Sequence, residues 1–144
     1  NFIFFISGCG YEPVYKKIGN QDFRIDITQM SGDVEINNLI KNEISLYSGK
    51  ESINKFNVTI KTDFYKKILS KNNAGVITDY ELSASSSFII FFEDKTEKVT
   101  FNETINVKNK TDKFEQNLYE KNIKRNFASS IREKLILKIF SIKW

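Results

Sequence analysis

Histidine is absent from this chain of 144 residues. With it go the side chain best suited to general base work near neutral pH and the commonest metal ligand. A single cysteine excludes an internal disulfide, and the six glycines are scattered, forming neither a Walker-type nor a GxGxxG loop. Proline occurs once. No apolar run approaches the roughly 20 residues needed to cross a bilayer. Candidates for acid–base chemistry reduce to the carboxylate pairs Asp22/Asp26, Asp79/Glu81 and Glu93/Asp94. Each pair sits among polar turn or strand-edge residues, the pattern of a solvated face. Neither an enzyme nor a metal or cofactor is therefore expected.

What remains is ordinary globular composition, 40% hydrophobic and 28% charged, in a length that suits one domain. The net charge of +4 is unevenly spread. Residues 118–144 hold seven Lys/Arg (Lys121, Lys124, Arg125, Arg132, Lys134, Lys138, Lys143) against Glu120 and Glu133, so everything upstream nets −1. A basic end of this kind reads as nucleic-acid contact, a membrane surface or an exposed helix face. The exposed face is the commonest of these, and no nucleic acid is expected.

Hydrophobic periodicity orders the chain. FRIDIT at 23–28 alternates, predicting a first strand that ends near Gln29 to Gly32. Asp33 then opens a helix in which Ile36, Leu39, Ile40, Ile44 and Tyr47 share a face. Phe56, Val58, Ile60 and Phe64 alternate in a second strand, SKNNAG at 70–75 is a turn, and a third strand starts about Val76. That strand sets Tyr80, Leu82, Ala84, Ser86, Phe88, Ile90 and Phe92 on one side. After EDKTE, a fourth strand carries Val99, Phe101, Ile105 and Val107. From Asp112 onward, Leu118, Ile123, Phe127, Ile131, Leu135 and Ile139 mark one stripe of a long helix. The order β-α-β-β-β-α, with a parallel first pair and an antiparallel meander, predicts an α+β fold with two helices on one face of a four-stranded mixed sheet. The other face is left with Asn, Thr, Ser and Lys.

The N-terminus NFIFFISGCGYEPVY places the one cysteine directly behind an apolar run at 2–6. Apolar residues, then Ser7-Gly8-Cys9, then an abrupt polar change resemble the lipobox of bacterial lipoproteins, with Ile6 where Leu is commoner. The run is thus expected to be the tail of a secretory signal at 1–8. Cys9 would then be the acylated first residue of the mature chain, 9–21 a tether, and 22–144 the domain. Several acyl chains, at about 0.8 kcal/mol per buried methylene, hold a membrane stably. In that class Gly10 rather than Asp after the cysteine implies the outer membrane.

GCGYEPVY at 8–15 also resembles the start of the mature lipopolysaccharide-assembly lipoproteins of the LptE family. The likeness continues in element order, through TDYELSASSSF and the helix containing NFASSIREKLILKI. The resemblance implies a non-enzymatic subunit of the outer-membrane lipopolysaccharide translocon, plugging and helping to assemble the LptD β-barrel and engaging lipopolysaccharide. Ser83, Ser85, Ser87, Thr100, Asn102 and Thr104 would offer hydrogen bonds to a polar lumen. Ile89 and Phe91 fall on that same outer face with no core to enter, which suggests a partner contact. Topology brings a loop at 66–73 beside a segment at 106–113. Lys66, Lys67, Lys71, Lys108, Lys110 and Lys113 are therefore expected to form a basic rim for an anionic ligand such as lipopolysaccharide phosphate. The alternative is a free-standing lipoprotein carrying a small apolar ligand between sheet and helices, lined by Phe56, Phe88, Phe101 and Phe127.

Overall fold

Alternation of apolar and polar residues does set the strands. The computed structural model describes residues 23–47 and 54–143, ordered as β1 (Phe23–Gly32), α1 (Val34–Ile44), a 3-10 turn (Ser45–Tyr47), β2 (Asn54–Lys71), β3 (Ile77–Phe92), β4 (Lys95–Lys108) and α2 (Lys113–Lys143). The four strands form one sheet in the order β1-β2-β3-β4, with β1 parallel to β2 and the remaining pairs antiparallel. This is the α+β architecture the periodicity implies. The N-terminal boundaries drawn at 1–8 and 9–21, and Cys9 itself, lie outside the described residues. No described helix is long and apolar enough to cross a membrane.

Strand β1 buries Phe23 and Ile25 and then breaks register between Ile27 and Gln29. The strand ends at Gly32, whose φ of +87° and closeness to β2 both demand glycine: a Cβ there would lie 1.9 Å from the Thr62 carbonyl oxygen. The next residue, Asp33, donates its backbone N–H to that same oxygen at 2.7 Å. Its carboxylate caps α1 by accepting from the Ile36 N–H at 2.9 Å. The helix then buries Ile36, Asn37, Ile40 and Ile44 at three- and four-residue steps, and Tyr47 stacks on Phe23 with ring centroids 5.2 Å apart.

The core face of the sheet follows the expected alternation, with Phe56, Val58 and Ile60 of β2 and Leu82, Ala84, Phe88, Ile90 and Phe92 of β3 buried. Ser86 sits among them. Its hydroxyl meets Thr62 Oγ1 at 2.7 Å, so two fully buried polar groups satisfy one another. The turn after β3 shrinks to Glu93-Asp94, and β4 begins at Lys95 rather than Val99. Glu93 adopts φ 55°, the left-handed conformation a tight hairpin requires.

Helix α2 buries Gln116, Ile123, Phe127, Ala128, Ile131, Leu135, Ile136 and Ile139. Leu118, expected on this stripe, is instead 52% exposed. It lies five residues before Ile123, about 140° round the helix. Four of the basic residues of this helix are tied to acidic partners. Lys124 bridges to Asp33 at 3.0 Å and Glu35 at 3.3 Å, and Arg132 pairs with Glu43 of α1 at 2.9 Å. Lys134 and Lys138 reach Glu103 and Glu97 of β4 at 2.8 and 3.2 Å. Part of the charge surplus of the C-terminal segment thus fastens the helix to acidic partners upstream.

Candidate ligand and partner surfaces

At the end of the sheet where β2 turns into β3, every residue from Tyr65 to Lys71 is exposed. Residues 66–71 are strand, not the loop expected. Asn72 closes the turn, its Oδ1 accepting from the Ala74 and Val76 N–H groups at 2.9 and 3.0 Å. Beside this hairpin, β4 runs out to Asn109. Its side chain donates to the Ile77 carbonyl at 3.0 Å, while its N–H donates to the Thr78 carbonyl at 2.8 Å. The latch holds the start of α2 against the hairpin and leaves a cavity of about 560 Å³, lined by Lys66, Tyr80, Lys110, Lys113 and Gln116 among others.

Three of the six expected lysines therefore meet, and three do not. Lys66 and Lys67 are neighbours in a strand and face opposite sides of the sheet. Lys67 stands opposite Glu81, Lys108 opposite Asp79, and Lys71 at the far end of the ladder opposite Ile77. Asp79 is held below the usual carboxylate range by hydrogen bonds from Ser70 and Thr78, with the Lys108 charge adding to them. The rim is thus partly neutralised by acids that strand register brings across. Lys66 is itself paired with Glu120 at 2.6 Å and lies 4.3 Å above the Tyr80 ring. Burial alone would push the Glu120 carboxyl up, but hydrogen bonds from Lys66 and Gln116 outweigh it and hold the group low. That leaves Lys110, 5.2 Å over the Tyr119 ring, and Lys113 as the cavity cations without an acidic partner among the described residues.

Periodicity had not singled out Tyr80, Gln116 or Glu120 for this site. Gln116 is 8% exposed, accepts from the Lys110 N–H at 2.8 Å and donates to Glu120 at 3.0 Å. The four-residue step from Gln116 to Glu120 was a readable signal for that contact. Its reach to Lys66 was not.

The outer face of the sheet carries the expected polar residues. Ser83 and Ser85 are half-buried, and Ser87, Thr100, Asn102 and Thr104 are exposed, with Ser87 and Thr100 sharing a hydrogen bond of 2.9 Å. Ile89 and Phe91 lie on this face as expected. Phe91 is 40% exposed, and Ile89 borders a cavity of about 390 Å³ with Met30, Thr59 and Lys61, beside the stretch of β1 that follows its register shift. Phe56 and Phe88 are fully buried and Phe127 is 6% exposed, so these three pack as core, and Phe101, its ring 5.9 Å from that of Phe88, is partly buried against them. None of them lines either cavity.

No family model matches the chain, and neither does any curated protein. Solved structures do. Rare lipoprotein B from Shewanella oneidensis superposes with a TM-score of 0.60 at 14% identity, over 81% of this chain and 100% of that one. A minor lipoprotein from Acinetobacter baumannii does so with 0.52 at 11% identity, over 76% and 93%. This chain has their fold. At such identities the likeness concerns fold alone.

Proposed function

We propose that this protein is a non-enzymatic, lipid-anchored subunit of the outer-membrane lipopolysaccharide translocon, acting as plug and assembly partner of an LptD-type β-barrel and binding lipopolysaccharide. The observation that carries the reading is the outer face of the sheet, which no described helix covers: three strands wide from Thr59 through Ser85 to Asn102, it is hydrogen-bonding surface apart from Ile89 and Phe91, on a fold that bacterial lipoproteins share. A barrel lumen is polar, and a body seated in it needs such a face. The GCGYEPVY segment supports the anchor at Cys9 and an outer-membrane location. The cavity at the hairpin end, where Lys110 and Lys113 have no acidic partner among the described residues, supports an anionic ligand.

The test is co-purification of the full chain from native membranes with a photo-crosslinking residue at Ser85. A crosslink to a large β-barrel is the expected result, and a chain that leaves the membrane unaccompanied would sink the reading. Within the same preparation, Lys110→Glu with Lys113→Glu is expected to lower lipopolysaccharide crosslinking while the barrel stays bound. Lys95→Glu with Lys98→Glu, at the opposite end of the sheet, should do less. Equal losses from both ends would show that only net charge matters.

A further inference from the structure

The cavity at the hairpin end is lined by three cations that differ in how their charge is met. Lys110 and Lys113 have no acidic partner among the described residues, whereas the third, Lys66, is paired with Glu120. Its Nζ lies 4.3 Å above the Tyr80 ring, a cation–π contact that places the head of an otherwise pliant side chain. From there it donates to Glu120 Oε1 at 2.6 Å. Gln116 Nε2 donates to the same oxygen at 3.0 Å, so two donors from different elements converge on one carboxylate oxygen.

The carboxylate is fixed in turn. Gln116 is 8% exposed and its Oε1 accepts from the Lys110 N–H at 2.8 Å, which ties Glu120 to the segment that carries the other two cations. Glu120 bonds two lining residues without being part of the lining itself. Lys124, the other cation whose charge it feels, is already taken by Asp33 and Glu35. The negative charge of Glu120 therefore falls chiefly on Lys66.

We propose that Glu120 is an internal counter-anion, which neutralises Lys66 and so lowers the affinity of this cavity for the phosphate group of a ligand. The inference rests on the reading of the cavity as an anion site and adds how tightly that site is set. Affinity differences at one site fall mostly in the rate of release. A subunit that hands its ligand on gains from releasing it.

Titration of the full chain in non-ionic detergent, with lipopolysaccharide and separately with inorganic pyrophosphate, tests this. Glu120→Gln keeps the shape and an acceptor oxygen while removing the charge. It is expected to tighten binding about two- to fivefold, the range of one partly exposed ion pair, with a gain that shrinks as salt is raised. Adding Lys66→Met to that variant should abolish the gain. Lys66→Met alone leaves Glu120 uncompensated beside the cavity and should bind more weakly than the parent. Glu97→Gln, which removes one acidic charge from the Lys138 pair at the opposite end of the sheet, should bind as the parent does. A gain with both probes assigns recognition to their shared phosphate chemistry, and a gain with lipopolysaccharide alone assigns it to a lipid headgroup. Unchanged binding in both Glu120→Gln and Lys66→Met, or equal tightening by Glu97→Gln, overturns the role of Glu120. If Lys110→Glu with Lys113→Glu still weakens binding in that case, the anion site stands without it. Binding of neither probe by any of these chains overturns the anion site and this inference together.

Discussion

Asp33 joins three elements through one residue. Its backbone is held by β2, its carboxylate caps α1, and the same carboxylate receives Lys124 from α2. Burial by itself would lower the pKa of Lys124, but the hydrogen bonds and charges of Asp33 and Glu35 outweigh it and raise the ammonium above the usual lysine range. A raised lysine contributes stability that is complete below its unfolded value, about 10.4, and is lost as pH climbs through the folded value. Asp33→Ala removes both roles. It should lower stability at neutral pH by about 1–2 kcal/mol through the lost cap, and it should flatten the decline expected of the parent above about pH 10. Urea unfolding at a series of alkaline pH values checks both. An unchanged alkaline slope would mean that Lys124 keeps its shift through Glu35 alone.

At the level of the element, α2 shows how a stripe is chosen. Its residues follow the 3.6-residue repeat from Gln116 through Ile123 to Ile139, and a polar side chain, not Leu118, takes the first buried position. That polar residue is tolerated because it is hydrogen-bonded on both sides, to Lys110 and Glu120. Leu135 is fully buried. Leu135→Ala is expected to cost about 2–5 kcal/mol, and Leu118→Ala no more than about 0.5 kcal/mol. Chemical denaturation of the two variants side by side measures the contrast. A large loss from Leu118→Ala would show that its exposed position is covered in solution, by a partner or by residues outside those described. The strands were legible earlier than the helix stripe, because a period of two puts every second residue on the same face. A helical stripe tolerates a wrong starting residue until the angle is worked out.

For the whole molecule, the helices are tied to the sheet by ion pairs whose partners are far apart in sequence. Glu103 is typical: burial would raise its carboxyl, but Lys134 and Ser130 outweigh that and hold it below the ordinary glutamate value. Glu120 behaves alike through Lys66 and Gln116. A depressed carboxylate contributes stability that is present above the unfolded value of about 4.3 and is lost as pH falls through the folded one. Acid should therefore loosen α2 from β4 and from the hairpin. Glu103→Gln is expected to make the melting temperature less dependent on pH below about 4, at some loss of stability near neutrality. A parent whose melting temperature stays level down to the pH of general unfolding would contradict this.

The order of elements, their types and the two faces of the sheet were contained in the sequence, because local periodicity decides which side of a strand is apolar, and Gly32-Asp33 marks a strand ending in a helix cap. The character of the basic rim was not. Lys66 carries no mark that it will meet Glu120, 54 residues on, and Lys67 and Lys108 give no sign that Glu81 and Asp79 will stand opposite them. Which charges cancel depends on strand register and on where a long helix begins to cross the sheet, and packing over the whole core sets both. For the same reason Ser86 reads as one serine among several in SSS, while the fold makes it the fully buried partner of Thr62.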